Sequence, residues 1–206
     1  MVLQIDRTNA SDYEALLNEM HRVRKAVFVD RLGWDVPVVE GEYEIDQFDT
    51  ENAVYLINID EATGQHLASV RLLSSTKPNV LTDIFAALCQ GGPPNSSDTW
   101  EITRLCTSPG LPRDVAARAR HKLAVALVEY GLLHGICRYT CVIEVQNIPT
   151  LIAPGWCCNP LGPPKTINGA MLGAFALSIV PTTLDLMVER WGGSLPVLEY
   201  AQRKAA

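Results

Sequence analysis

A long helical stretch, Asp114–His134, lies between two strand-like runs, Trp100–Thr107 and Arg138–Val145, and no other feature restricts the fold as tightly. A strand, a helix and a strand in that order return the chain to the same sheet through a crossover, so a parallel pair is predicted here. Val2–Ile5 reads as a further strand. Ser11-x-x-Glu14 has the spacing of a capping box and opens a helix running to about Leu32. Ala53–Ile59 and His66–Ser74, separated by Asp60-Glu61-Ala62-Thr63-Gly64, read as a hairpin. Thr82-Asp83 caps a short helix through Cys89, Ala170–Val180 is strand-like, and Thr183–Trp191 is helical. The predicted class is α/β, a mixed and mostly antiparallel sheet with helices on both faces, three layers deep.

With 206 residues, 48% hydrophobic and 19% charged, the chain is neither polar enough for disorder nor apolar enough for a membrane protein. One domain spanning residues 1–206 is expected. The Pro/Gly clusters at 91–94 and 160–164 are too short for linkers. A net charge of −6 argues against a nucleic-acid binder, and any anionic partner needs a local basic patch. The longest apolar run, Gly169–Val180, is too short to span a bilayer, and the opening residues lack a basic-then-apolar signal pattern, so a cytoplasmic location is expected. The six cysteines form no paired CxxC knuckles and no HxxxH follows them; they read as reduced packing residues, and no metal site is signalled.

Charge placement carries the chemistry. Glu44-Ile45-Asp46-Gln47-Phe48-Asp49 interleaves three acids with Ile45 and Phe48, which favour burial, and buried carboxylates need cations. Arg71 and Arg104 stand inside apolar strands. Arg24 shares a helix face with Met20, Phe28 and Arg31 at spacings i, i+4, i+8 and i+11. A structural salt-bridge network and a pocket for a multiply charged ligand both account for this pattern. Glu101 and Arg104 point to opposite faces of a regular strand, so a β-bulge between them is required if both line one pocket. Arg113, Arg118, Arg120 and Lys122, against Asp114 alone, make the most basic stretch; it is either a docking patch for an anionic partner or a solvated helix face.

Arg24-Lys25-Ala26-Val27-Phe28, Leu32-Gly33-Trp34-Asp35-Val36, Glu44-x-Asp46-x-Phe48-Asp49, Arg71 and Trp100-Glu101-x-x-Arg104 occur in that order. This set, over roughly residues 10 to 165, resembles the LuxI-type acyl-homoserine-lactone synthases, the autoinducer synthases of quorum sensing. Phe85 in Thr82-Asp83-Ile84-Phe85, and Gly155-Trp156 followed by Pro160-Leu161-Gly162, are also similar. The order of elements is in turn analogous to the N-acetyltransferase-like (GNAT-like) fold.

The resemblance implies an enzyme that transfers an acyl group from a thioester, on acyl carrier protein or CoA, to the amine of S-adenosylmethionine, which then lactonises and releases methylthioadenosine. S-adenosylmethionine is then a substrate, and no cofactor is implied. Asp46 and Asp49 suit the donor's cations, Arg24, Arg71 or Arg104 its carboxylate, and Phe28 and Trp34 its adenine and sulfonium, unless these two rings are core packing. Phe85 joins the donor contacts by resemblance. Glu101 is assigned as general base, directly or through a water, or as the holder of Arg104. Arg113, Arg118, Arg120 and Lys122 suit the acyl carrier. An N-acyltransferase acting on another amine and a noncatalytic S-adenosylmethionine sensor are the rival readings.

Overall fold

The computed structural model describes residues 1–200. In chain order its elements are β1 (Val2–Ile5), α1 (Glu14–Arg24), β2 (Val38–Val39), β3 (Tyr43–Glu44), β4 (Val54–Ile59), β5 (His66–Ser74) and α2 (Val80–Asp83). They continue with β6 (Thr99–Thr107), α3 (Arg113–Leu133), β7 (Arg138–Glu144), α4 (Ile148–Ile152), β8 (Cys157–Pro160), β9 (Lys165–Ile167), β10 (Ala170–Ser178), α5 (Pro181–Trp191) and β11 (Leu198–Tyr200).

The chain forms two compact units. The first comprises Met1–Arg71, Arg104–Ala126 and the stretch from Pro196; the second comprises Leu72–Thr103 and Leu127–Leu195. In the first, the strand order is β11-β1-β4-β5-β6, with β1 parallel to β11 and antiparallel to β4. Val54 to Asn58 are all buried. Successive strand residues face opposite ways, so both faces of this sheet are covered.

In the second, the order is β5-β6-β7-β10-β8, with β9 added to β10. β6 and β7 form the predicted parallel pair, Thr99↔Arg138 to Glu101↔Thr140, while β7 runs antiparallel to β10. The sheet is therefore mixed, as the sequence pattern implies. Among the described residues, no helix is long and apolar enough to cross a membrane.

Local departures have physical reasons. The capping box at Ser11 and Glu14 does not form: a 3-10 turn, Ala10–Tyr13, precedes α1, and neither start has a side-chain cap. Asn9 and Asp6 fix this entry instead, Asn9 Oδ1 accepting from the Asp6 backbone N–H at 2.9 Å. The helix does continue to Arg31, but Lys25–Arg31 is a π-helix. Its wider turn, in which Leu32 N–H donates to the Val27 carbonyl, breaks the 3.6-residue phase, so Met20, Arg24 and Phe28 are buried and Arg31 is exposed.

The short helix after β5 starts two residues before the expected cap. Asn79, not Thr82-Asp83, caps it, its side chain accepting from Thr82 N–H. The four-residue helix then gives way to a 3-10 turn at Ala86–Leu88. The 160–164 loop is held close to that turn: a Cβ on Gly162 would stand 2.5 Å from the Leu88 carbonyl oxygen, so only glycine fits.

The β-bulge is present in β6. Ser108 N–H donates to the Leu67 carbonyl and Ser75 N–H to the Thr99 carbonyl; between those bonds β6 advances one residue more than β5. Arg104 sits at φ 55, a left-handed conformation expected where an extra residue is taken up.

Candidate active site

The acids of the sequence motif organise their own loop. Asp46 Oδ1 accepts from Phe48 N–H, and Asp49 Oδ2 from Asp46 N–H, each at 2.9 Å, while the Phe48 ring is buried as the loop's anchor. Glu44 reaches the same place from β3. Around them the three arginines close a ring of alternating charge. Arg24 donates from Nε to Glu44 Oε2 at 2.5 Å and from both terminal nitrogens to Asp49 at 2.8 Å. Arg71 spans Asp46, at 2.6 and 3.0 Å, and also reaches Asp49 at 2.8 Å. Arg104 completes the circuit, with Nη2 2.9 Å from Glu44 and 2.8 Å from Asp46.

This ring has three positive and three negative members and no net formal charge. Pairing of that completeness is what permits burial, because an ion left alone in the interior costs several kcal/mol or more. Burial by itself would raise the Asp49 carboxyl, but Arg24 and Arg71 outweigh it and hold Asp49 far below the usual carboxylate range. Burial would likewise lower Arg24, and Asp49 with Glu44 reverse the effect.

An outer layer supports the ring. His21 Nδ1–H donates to the Glu44 carbonyl at 3.0 Å, and Tyr55 Oη–H donates to Asp49 Oδ1 at 2.8 Å. Neither residue was expected from the sequence, although His21 precedes Arg24 by one helical turn. Glu44 was legible as part of the acidic motif but not as a member of the site; the equal numbers of acids and strand or helix arginines were the available signal.

Arg104, with its side chain 10% exposed, is the member of the ring most open to solvent. Its guanidinium lies 5.5 Å from the Phe28 ring centre and 5.8 Å from that of Trp34. These two rings stack at 4.8 Å, with the chain turned back so that Trp34 N–H donates to the Phe28 carbonyl. Phe28 is buried and Trp34 is 41% exposed, so the pair offers one aromatic surface beside a cation. Arg24, Phe28, Trp34, Asp46, Asp49, Arg71 and Arg104 are thus brought together in the first unit.

Glu101 and Phe85 belong to the second unit. Glu101 is 1% exposed, and its Oε2 accepts from Val80 N–H, the first residue of α2, at 2.8 Å. Phe85 packs with Leu81, Leu88 and Ala174, an apolar setting rather than a charged one.

The basic stretch of α3 is not one face. Arg118 and Lys122 are a turn apart, and Arg113 and Arg120 two turns apart; the two pairs lie about 140° or more from each other around the helix. Arg118 is paired with Asp114 at 2.8 Å and Lys122 with Glu61 at 3.5 Å.

Residues 8–181 match the family model of the autoinducer synthases. The acyl-homoserine-lactone synthase of Ralstonia solanacearum is 32% identical over 165 residues, 78% of this chain and 80% of that protein. A CoA-dependent acyl-homoserine lactone synthase, BjaI, solved with SAM and isopentyl-CoA, superposes with a TM-score of 0.89 at 26% identity, covering 100% of this chain and 95% of that one. A putative N-acetyltransferase from Lactobacillus plantarum shares the fold alone, with a TM-score of 0.60 at 16% identity over 87% of this chain and 98% of that one. With a family match over residues 8–181 and a relative 32% identical over 78% of its length, the chain belongs to the autoinducer synthase family.

Proposed function

We infer that the protein makes an N-acyl-homoserine lactone, taking the acyl group from acyl-CoA and the homoserine moiety from S-adenosylmethionine. The observation that carries this reading is the arrangement along β6. Glu101 is a buried carboxylate held at Oε2 by Val80 N–H, and the bulged Arg104 closes a neutral ring beside the Phe28–Trp34 surface. The ring's charges satisfy one another, so its role is to hold Arg104 and the two aromatic rings in place. Arg104 meets the donor's carboxylate, and the rings meet its adenine and sulfonium.

In this reading Glu101 accepts a proton from the donor's ammonium. The freed amine attacks the thioester carbonyl, the new C–N bond forms as the C–S bond breaks, and the nitrogen's surplus proton passes to the departing thiolate to give the amide and free CoA. The donor's carboxylate oxygen then attacks the carbon bearing the sulfonium; that C–S bond breaks and neutral methylthioadenosine departs. The second step needs no side-chain nucleophile, because reacting groups held in one molecule reach effective molarities of about 10⁵–10⁸ M.

S-adenosylmethionine is consumed one for one and is a substrate rather than a cofactor. In this reading the enzyme works in the cytoplasm, with its two substrates. CoA is favoured over acyl carrier protein by the likeness to a CoA-dependent synthase. Incubation with S-adenosylmethionine and acyl-CoA, followed by mass spectrometry, is expected to show lactone and methylthioadenosine in equal amounts. Acylation of another amine without methylthioadenosine would overturn the reading.

A further inference from the structure

Glu101 is held by a bond that another residue aims. Its Oε2 accepts from Val80 N–H at 2.8 Å, and that N–H belongs to the peptide unit joining Asn79 to Val80. A peptide unit is flat and trans, so its N–H and C=O point in opposite directions and turn together. The carbonyl of this unit, on Asn79, accepts from Asp83 N–H at 3.0 Å. The direction in which Val80 offers its hydrogen is therefore set by whatever fixes Asn79.

Asn79 is fixed by its own side chain. It is 2% exposed, and its amide is used at both ends: Oδ1 accepts from Thr82 N–H at 2.9 Å and Nδ2 donates to the Lys77 carbonyl at 2.8 Å. The first bond closes the opening turn of α2 and the second ties that turn to the preceding loop, so the extended backbone of Asn79, φ −150 and ψ 160, is held from both sides. Further along, Leu81 is buried against Leu88 and Ala174, which keeps α2 on the sheet without help from the Asn79 side chain. Loss of that side chain therefore disturbs the aim of Val80 N–H more than the presence of the helix. A backbone N–H bonded to a carboxylate favours the ionised form, the form a base needs. The other titratable groups that feel Glu101 are the thiols of Cys89 and Cys141, both pushed up chiefly by burial and so neutral in the acid range. Asp83 on α2 and Lys77 before it are exposed.

We propose that Asn79 is the positioning residue of the base: by locking the Asn79–Val80 peptide it keeps the Glu101 carboxylate oriented and ionised for proton transfer. The proposal rests on the acyl-transfer reading above, in which Glu101 accepts the proton of the donor's ammonium.

Carbon-13 NMR of protein labelled at its glutamate carboxyls reads Glu101 without turnover, the resonance being assigned by its loss in Glu101→Gln. Asn79→Ala is expected to move the Glu101 titration up by about one pH unit, and Asn79→Ser, which still accepts from Thr82 N–H, by much less. In turnover, read as methylthioadenosine release from S-adenosylmethionine and acyl-CoA, the acid limb of kcat moves up with it. On the plateau kcat falls about tenfold in Asn79→Ala with KM for S-adenosylmethionine little changed, and Asn79→Ser recovers most of the rate. In the Glu101→Gln background Asn79→Ala costs nothing further, because no base remains to be aimed. Should Asn79→Ala not fold, Asn79→Gly carries the same test, since glycine at a helix start costs only a few tenths of what alanine does. An unmoved Glu101 titration, an equal loss of rate in the Glu101→Gln background, or a rise in KM in place of the fall in kcat overturns the proposal. Failure of the reaction itself looks different. No methylthioadenosine from the wild type, or full activity in Glu101→Gln, overturns the acyl-transfer reading, while a displaced titration in Asn79→Ala keeps the link between Asn79 and Glu101.

Discussion

Arg24 grips Asp49 with both terminal nitrogens, Nη1 to Oδ1 and Nη2 to Oδ2, each at 2.8 Å. Neither residue has an alternative partner in water, since their side chains are 1% and 2% exposed. Replacing Arg24 by Ala strands Asp49 and Glu44 together. Loss of one partner of a buried pair costs about 3–5 kcal/mol, and urea unfolding of Arg24→Ala is expected to show a loss of that size. Arg24→Lys should recover only part of it, because one ammonium cannot span both acids. A loss below about 1 kcal/mol for Arg24→Ala would refute the ring as a stabilising unit.

Glu101→Gln tests the base. The amide oxygen still accepts from Val80 N–H, so the start of α2 is retained, while the proton acceptor is gone. We expect kcat to fall by about 10²–10⁴ with S-adenosylmethionine affinity little changed, read by single-turnover kinetics beside calorimetry. A matching fall in affinity would make Glu101 a binding residue instead.

His66 makes the fold acid-sensitive. Its Nδ1–H points at Ser108 Oγ, 2.8 Å away, while Nε2 is buried with no partner among the described residues. Burial lowers its pKa from 6.5 to about 4, because a proton on Nε2 would find no acceptor. The folded pKa is the lower one, so stability is full above about pH 6.5, declines as acid protonates the unfolded chain, and levels near pH 4 once the folded state titrates too. The decline attributable to this group is about 3 kcal/mol. His66→Asn keeps a donor for Ser108 and removes the titration; chemical denaturation between pH 4 and 7 should give it the shallower profile. Parallel profiles would exclude His66 as the cause.

The two sides of α3 can be told apart by charge reversal. Arg118 and Lys122 already face Asp114 and Glu61, whereas no ion pair with Arg113 or Arg120 is formed among the described residues. Arg113→Glu with Arg120→Glu is expected to raise the Michaelis constant for acyl-CoA about tenfold at low salt and to flatten its salt dependence. The Arg118→Glu, Lys122→Glu pair should do so much less. The reverse ranking would move the anion-binding side of the helix.

Much of this was legible in the chain. β1, β4, β5, β6, β7 and β10 show as apolar or alternating runs, and α3 is long enough to reveal its period. β8 and β9 were missed because Cys157–Pro160 and Lys165–Ile167 are too short and too polar to show a period; they exist because β10 offers them a partner. The π-turn at Lys25–Arg31 is invisible to a reading that assumes 3.6 residues per turn, which is why that period puts Arg31 on one face with Arg24. The members of the site were visible as residue types. Which acid meets which arginine was not, because that depends on a bulge and a loop geometry that no local pattern encodes. The four cations of α3 looked like one patch because proximity along the chain is not proximity around a helix.

The ring also acts on how β6 is read into the sheet. Its acids come from one short segment, but its cations arrive from a helix and two separate strands, and Arg104 reaches them only from a left-handed residue. Slipping β6 by a single residue would present Thr103 or Leu105 where Arg104 belongs and leave Glu44 and Asp46 one cation short in a dry interior. A shifted strand therefore expels itself electrostatically, and the closed circuit of charge serves as a proofreading device for strand alignment.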